Sequence, residues 1–93
     1  MVRAKFTLTR TENHIMARSI KLPDGSYASE PVEVRTLVFA PVYANNGDPN
    51  HENTKFWNAT PSGEIRLGTV NREAWEQFDL GKSYYIDFSE APE

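Results

Sequence analysis

Asn53-Thr54-Lys55-Phe56-Trp57-Asn58-Ala59-Thr60-Pro61-Ser62-Gly63-Glu64-Ile65-Arg66-Leu67 is the stretch whose reading decides the fold. Thr60-Pro61-Ser62-Gly63 places proline where its fixed backbone angle suits the first corner of a β-turn and glycine where the chain leaves it, so two strands are expected to meet there. After the turn Ile65 and Leu67 alternate with Glu64 and Arg66, the two-residue period of a strand with one buried face and one wet face. Before it Phe56 and Trp57 are adjacent. On a strand they would point to opposite sides, one into the core and the other toward a surface, a partner or a ligand.

Upstream of this stretch, Ala44 to Thr54 is a polar tract with no core-forming residue and is predicted to be a mobile surface loop. The most apolar run precedes it, with Val34, Thr36, Val38, Ala40 and Val42 on one side and Leu37, Phe39 and Tyr43 on the other. A strand apolar on both faces belongs in the middle of a sheet. Farther back, Tyr27 to Val34 is polar and interrupted by Pro31, which confines any strand there to an edge. Pro23-Asp24-Gly25-Ser26 reads as a turn between antiparallel neighbours. Ala4, Phe6 and Leu8 alternate with Lys5, Thr7 and Thr9 in a first strand running to about Glu12; Asn13 to Leu22 reads as a further strand, with a short helical stripe of Ile15, Met16 and Ile20 as the alternative.

Downstream, Asn71 is placed to cap a short helix from Arg72 to about Phe78 whose Ala74, Trp75 and Phe78 fall on one stripe, with Gly81 as its left-handed cap. Lys82 to Phe88 reads as the last strand. Around five strands and one short helix before the last strand predict a mainly β fold, a small curved antiparallel sheet or five-stranded barrel. An oligonucleotide-binding (OB) type of barrel is one candidate. Residues 1–89 form one domain in this reading, and 90–93 a flexible tail.

Among the 93 residues 39% are hydrophobic and 25% charged, which suits one small domain with a modest core. The absence of cysteine removes disulfides and thiol chemistry and favours a reducing compartment. The amino terminus enters an alternating strand without a signal-like apolar core, which predicts a cytoplasmic protein. With a net charge of −3 and its basic residues dispersed, the chain carries no obvious phosphate-binding footprint. An aromatic-lined groove could still hold a single strand by base stacking.

Arg3-Ala4-Lys5-Phe6, Ala40-Pro41-Val42-Tyr43, Glu52-Asn53, Phe56-Trp57, Ala59-Thr60-Pro61-Ser62-Gly63, Gly81-Lys82 and Tyr84-Tyr85-Ile86-Asp87-Phe88 together resemble a widespread family of small uncharacterised proteins encoded by tailed bacteriophages. The likeness covers most of the chain. It implies a phage origin and a life in the host cytoplasm, and it carries over no catalytic residue.

Asp48, Asn50 and Glu52 alternate as oxygen donors, but the glycine and distal glutamate of a calcium loop are missing, so no metal or cofactor is expected. His14 and His51 lie in no nucleophile or metal motif, and the spacing of Glu64, Asp79 and Asp87 gives no preference for acid–base chemistry. The chain therefore reads as a non-enzyme. The aromatics are more numerous than one core needs, and aromatics give large contact area at low entropy cost. The expected binding residues are Tyr43, Phe56, Trp57 and Tyr85, with Asn46, Asp48 and His51 of the loop beside them. The expected function is a phage accessory protein that binds a host or phage macromolecule, or a small ligand, through an aromatic sheet face, as a monomer or homo-oligomer. Inhibition of host antiviral defence is one form of this; a single-stranded nucleic-acid-binding module for phage replication is the alternative.

Overall fold

A computed structural model describes residues 2–43, 51–58 and 61–92. In chain order it has β1 (Val2–Lys21), β2 (Tyr27–Pro41), α1 (Glu52–Trp57), β3 (Ile65–Thr69), α2 (Arg72–Trp75) and β4 (Ser83–Phe88). The strands form one open antiparallel sheet in the order β3-β2-β1-β4. Among the described residues no helix is long and apolar enough to cross a membrane.

The mainly β expectation holds, and several of its details are corrected. Four strands are seen among the described residues, not five, and they form one open, uncurled sheet rather than a curved sheet or closed barrel. Residues read as two successive strands, Ala4 to Glu12 and Asn13 to Leu22, run as the single strand β1, since neither glycine nor proline interrupts it. The segment before the central turn is a helix, not a strand. His51 caps α1 by accepting the Asn53 amide on Nδ1 at 3.1 Å, and Asn58 ends it in the left-handed region at φ 53°. Glu52 in the first turn and Lys55 in the last also suit the helix dipole. Of the predicted turn Thr60–Gly63, Thr60 lies outside the described residues; Pro61 is buried and Gly63 takes φ 124°.

Asn71 caps α2 as expected, its side-chain oxygen accepting the Glu73 amide at 3.1 Å. The helix is shorter than predicted, ending at Trp75 with Glu76 as its C-cap, so left-handed Gly81 serves the turn into β4. Pro23–Ser26 makes the expected turn, with Gly25 at φ 88° and the Asp24 carboxylate accepting from the Ser26 amide at 2.9 Å. That bond and the Ser26 hydroxyl hold the Asp24 carboxyl below its ordinary range.

β2 is central where it is apolar on both faces. Leu37 and Phe39 join Ala4, Phe6 and Leu8 of β1 and Trp75 of α2 in the core. On the opposite face Val38 pairs with Arg10 on one side and Arg66 on the other, and Glu12 accepts from both guanidiniums at 3.1 and 2.6 Å. This ion network, with its aliphatic stems, accompanies a Val38 only 1% exposed on an otherwise polar face.

β4 pairs only with Val2–Thr7 of β1, and β3 only with Arg35–Phe39 of β2. From His14 to Lys21 and from Tyr27 to Val34 the two long strands pair, among the described residues, with each other alone and project as a two-stranded arm. The arm stretches the molecule to 62 × 33 × 19 Å with a radius of gyration of 18.2 Å, where a compact chain of this size has about 13 Å.

Candidate functional site

The apolar sheet face is incompletely covered. Phe39 of β2 lies at its floor, 2% exposed, and Phe78, just past α2, meets it edge-on with ring centroids 5.8 Å apart. Tyr84 of β4 completes a three-ring wall, 6.1 Å from Phe39 and 5.1 Å from Phe78, and its hydroxyl accepts the Asp79 amide at 2.8 Å. Ile65 and Leu67 of β3 face Ile86 and Phe88 of β4 across an apolar groove of about 520 Å³. The groove thus lies between the two edge strands of the sheet. Leu67 and Phe88 remain 52% and 51% exposed on its sides.

A second, more polar cleft of about 390 Å³ lies between the start of β1 and α1, lined by Val2, Arg3, Glu52, Lys55 and Phe56. Arg3 connects it to β4. Its guanidinium binds the Asp87 carboxylate in a fork, at 2.6 and 3.0 Å, and stands 4.8 Å from the centre of the Tyr85 ring, with the Lys5 ammonium 6.0 Å away. These hydrogen bonds raise the pKa of Arg3 and lower that of Asp87. Both groups face solvent, so the pair orients Arg3 more than it stabilises the fold.

The expected binding residues distribute as follows. Tyr85 is exposed and lines the apolar groove, Phe56 is exposed and lines the polar cleft, and Arg3 reaches both residues' surroundings. Trp57 is half-buried, 6.0 Å from the Phe6 ring and 4.7 Å from Phe56, and donates its indole N–H to the Ser62 carbonyl at 3.1 Å. Tyr43 is exposed just past β2 and lines neither cavity; His51 is the α1 cap. Asn46 and Asp48, with most of the predicted loop, lie outside the described residues. Glu64, Asp79 and Asp87 each stand beside a cation, Arg66, Lys82 and Arg3 respectively. Among the described residues no group of three His, Asp or Glu side chains is placed to hold a metal ion.

Sequence reasoning missed two things. The apolar alternation of Ile65, Leu67, Ile86 and Phe88 was legible as a core-facing pattern, whereas the groove between them depends on two edge strands that never meet in sequence. Asn53 also went unread. It is 0% exposed, and its side chain accepts the Lys5 amide at 2.6 Å while donating to the carbonyls of Lys5 and Val42 at 2.8 and 2.7 Å. It thereby ties α1 to the end of the β1–β2 ladder and shapes the cleft beside it. No family model, curated protein or solved structure matches the chain.

Proposed function

We infer that the protein is a non-enzymatic binding module that takes an extended, apolar segment of a partner protein into the groove between β3 and β4. The carrying observation is an apolar groove of about 520 Å³ bordered on both sides by edge strands. Edge strands offer unpaired backbone N–H and C=O groups, and an added strand would bury alternate side chains against Leu67 and Phe88 while pairing its backbone. Such a strand would be the fifth of the sheet, bringing it toward the barrel that the sequence suggests. The resemblance to phage proteins makes a bacterial or phage protein in the infected cytoplasm the partner of choice, with a component of host defence one candidate.

The test is photo-crosslinking in infected bacteria, with benzoylphenylalanine at position 67 or 88. The expected result is one dominant adduct from each position, abolished by a charge on the exposed side of the groove (Phe88→Asp for the probe at 67, Leu67→Asp for the probe at 88), and none from position 27 on the arm. Equal labelling from all three positions, or none, would sink this reading.

A single-stranded nucleic acid reading is favoured by the Tyr85 ring, flanked by Arg3 and Lys5, with exposed Phe56 lining the cleft that Arg3 also lines. An aromatic platform with adjacent cations suits base stacking. The strand order 3-2-1-4, with α2 between β3 and β4, also fits an OB-type sheet that lacks its fifth strand. On this reading Tyr85→Ala weakens binding of an oligothymidine, followed by fluorescence anisotropy at low salt, by about 1–3 kcal/mol. Unchanged anisotropy on adding wild-type protein would remove nucleic acid from consideration.

A further inference from the structure

The projecting arm is the least supported part of the molecule. A two-stranded hairpin is marginally stable alone in water, and a long unpaired edge is a template for another strand. Its two edges are not alike. Along β2 the outer edge carries Pro31, which lacks an N–H, between Glu30 and Glu33. That edge is blunted in the usual way, by proline and like charge. The outer edge of β1 has no proline and no run of like charge, and its one irregularity, the register shift between Leu8 and Arg10, lies at its inner end. β4 leaves it at Leu8, whose amide and carbonyl bond Lys82 and Gly81, and among the described residues no strand pairs with it from Thr9 to Lys21.

We propose that this edge is a homodimer interface, in which β1 of one chain pairs antiparallel with β1 of a second copy about a two-fold axis at Ile15. The β1–β2 ladder skips Thr9, and an axis at Ile15 pairs the regular run Arg10–Ile20 with its own copy. Ile15 is also 65% exposed. Glu12 and Arg18 stand equally far from it on the same face, so each Glu12 is set opposite the Arg18 of the second copy, twice per dimer. His14 falls opposite Met16, Thr11 opposite Ser19 and Arg10 opposite Ile20, with no like charges facing. Neighbouring registers lack this match: an axis at His14 opposes Arg10 to Arg18, and an axis at Met16 gives neither Glu12 nor Arg18 a partner of opposite charge. Charge complementarity therefore selects both the second copy and the register, since directly opposed ions of one sign destabilise a sheet. Isologous pairing of this kind closes at two chains. It joins the two open sheets through their arms and leaves the groove between β3 and β4 free.

Sedimentation equilibrium and native mass spectrometry of the full chain test the proposal. The wild type is expected to be a dimer. Glu12→Lys and Arg18→Glu alone each set like charges opposite one another twice, and each weakens the dimer about tenfold. An equimolar mixture of the two variants regains wild-type affinity as a heterodimer, because every opposed pair is again of opposite sign. That recovery separates the interface from intrachain effects: Glu12 also binds Arg10 and Arg66, and Arg18 binds Glu30, and mixing restores none of these contacts.

Ile15→Cys gives a measurement that leaves those charges intact. The chain has no cysteine of its own, and facing strand residues lie within about 4.5–5.5 Å, inside disulfide range. Oxidation is expected to join two Ile15→Cys chains and to leave Ser29→Cys on the β2 edge unjoined. A wild-type chain still monomeric at about 0.1 mM would overturn the proposal. So would a heterodimer no tighter than its parents, crosslinking through position 29, or a different protein found paired along β1.

Discussion

Replacement of Asn53, the buried polar side chain among the described residues, by alanine is expected to lower the unfolding free energy by about 3–5 kcal/mol. The loss arises from three backbone groups. The Lys5 amide and the Lys5 and Val42 carbonyls each lose their Asn53 partner at a site where that residue is 0% exposed. The Lys5 carbonyl keeps the Val42 amide at 3.0 Å, so the Lys5 amide and the Val42 carbonyl are the two groups left unpaired, each at about 1–3 kcal/mol, and some relaxation or water entry keeps the sum below the maximum. A domain of this size has a total stability of about 5–14 kcal/mol, so the variant sits near the edge of folding. Urea denaturation should show a large fall in midpoint with little change in slope. Asn53→Asp is expected to fare little better: one carboxylate oxygen can still accept the Lys5 amide, but the other faces two carbonyl oxygens. A wild-type midpoint for Asn53→Ala would mean that α1 does not depend on this tie.

Phe39→Ala carries the second large effect, about 3–5 kcal/mol of stability. Phe39 is 2% exposed and makes edge contacts with both Phe78 and Tyr84, so truncation removes buried area and leaves the other two rings without their common neighbour. Phe39 is also the floor of the groove, and truncation should blur the groove as well as weaken the fold. Phe39→Leu preserves most of the volume and is expected to cost less than about 1.5 kcal/mol. Thermal unfolding of the pair separates the contributions. If both variants melt together, cavity formation is not the source of the loss.

These two residues differ in how visible they are in the sequence. Phe39 lies in an apolar run whose two-sided pattern marks a central strand, and the structure puts that run between β1 and β3. Asn53 lies in a tract of asparagine, histidine and glutamate that reads as loop. Its importance comes from Lys5 and Val42, residues distant in sequence whose backbone groups it satisfies. The same contacts explain the misread helix. Phe56 and Trp57 have strand propensity, and a six-residue helix is too short to stand on its own. Caps at His51 and Asn58 and the Asn53 tie to the sheet outweigh that propensity.

By itself the sequence determined the mainly β character, the turn at Pro23–Ser26, the central position of β2, the alternation of β3 and β4, and the Asn71 cap. Each depends on side-chain period or turn chemistry within a few neighbouring residues. The tertiary structure alone decided that β1 runs unbroken into a projecting arm, that the sheet stays open between β3 and β4, and that Asn53 becomes a buried joint. These features depend on which backbone groups and apolar faces, far apart in the chain, find partners and which do not. Local pattern carries no information about an absent neighbour, and that is where the groove and the free edge of the arm lie.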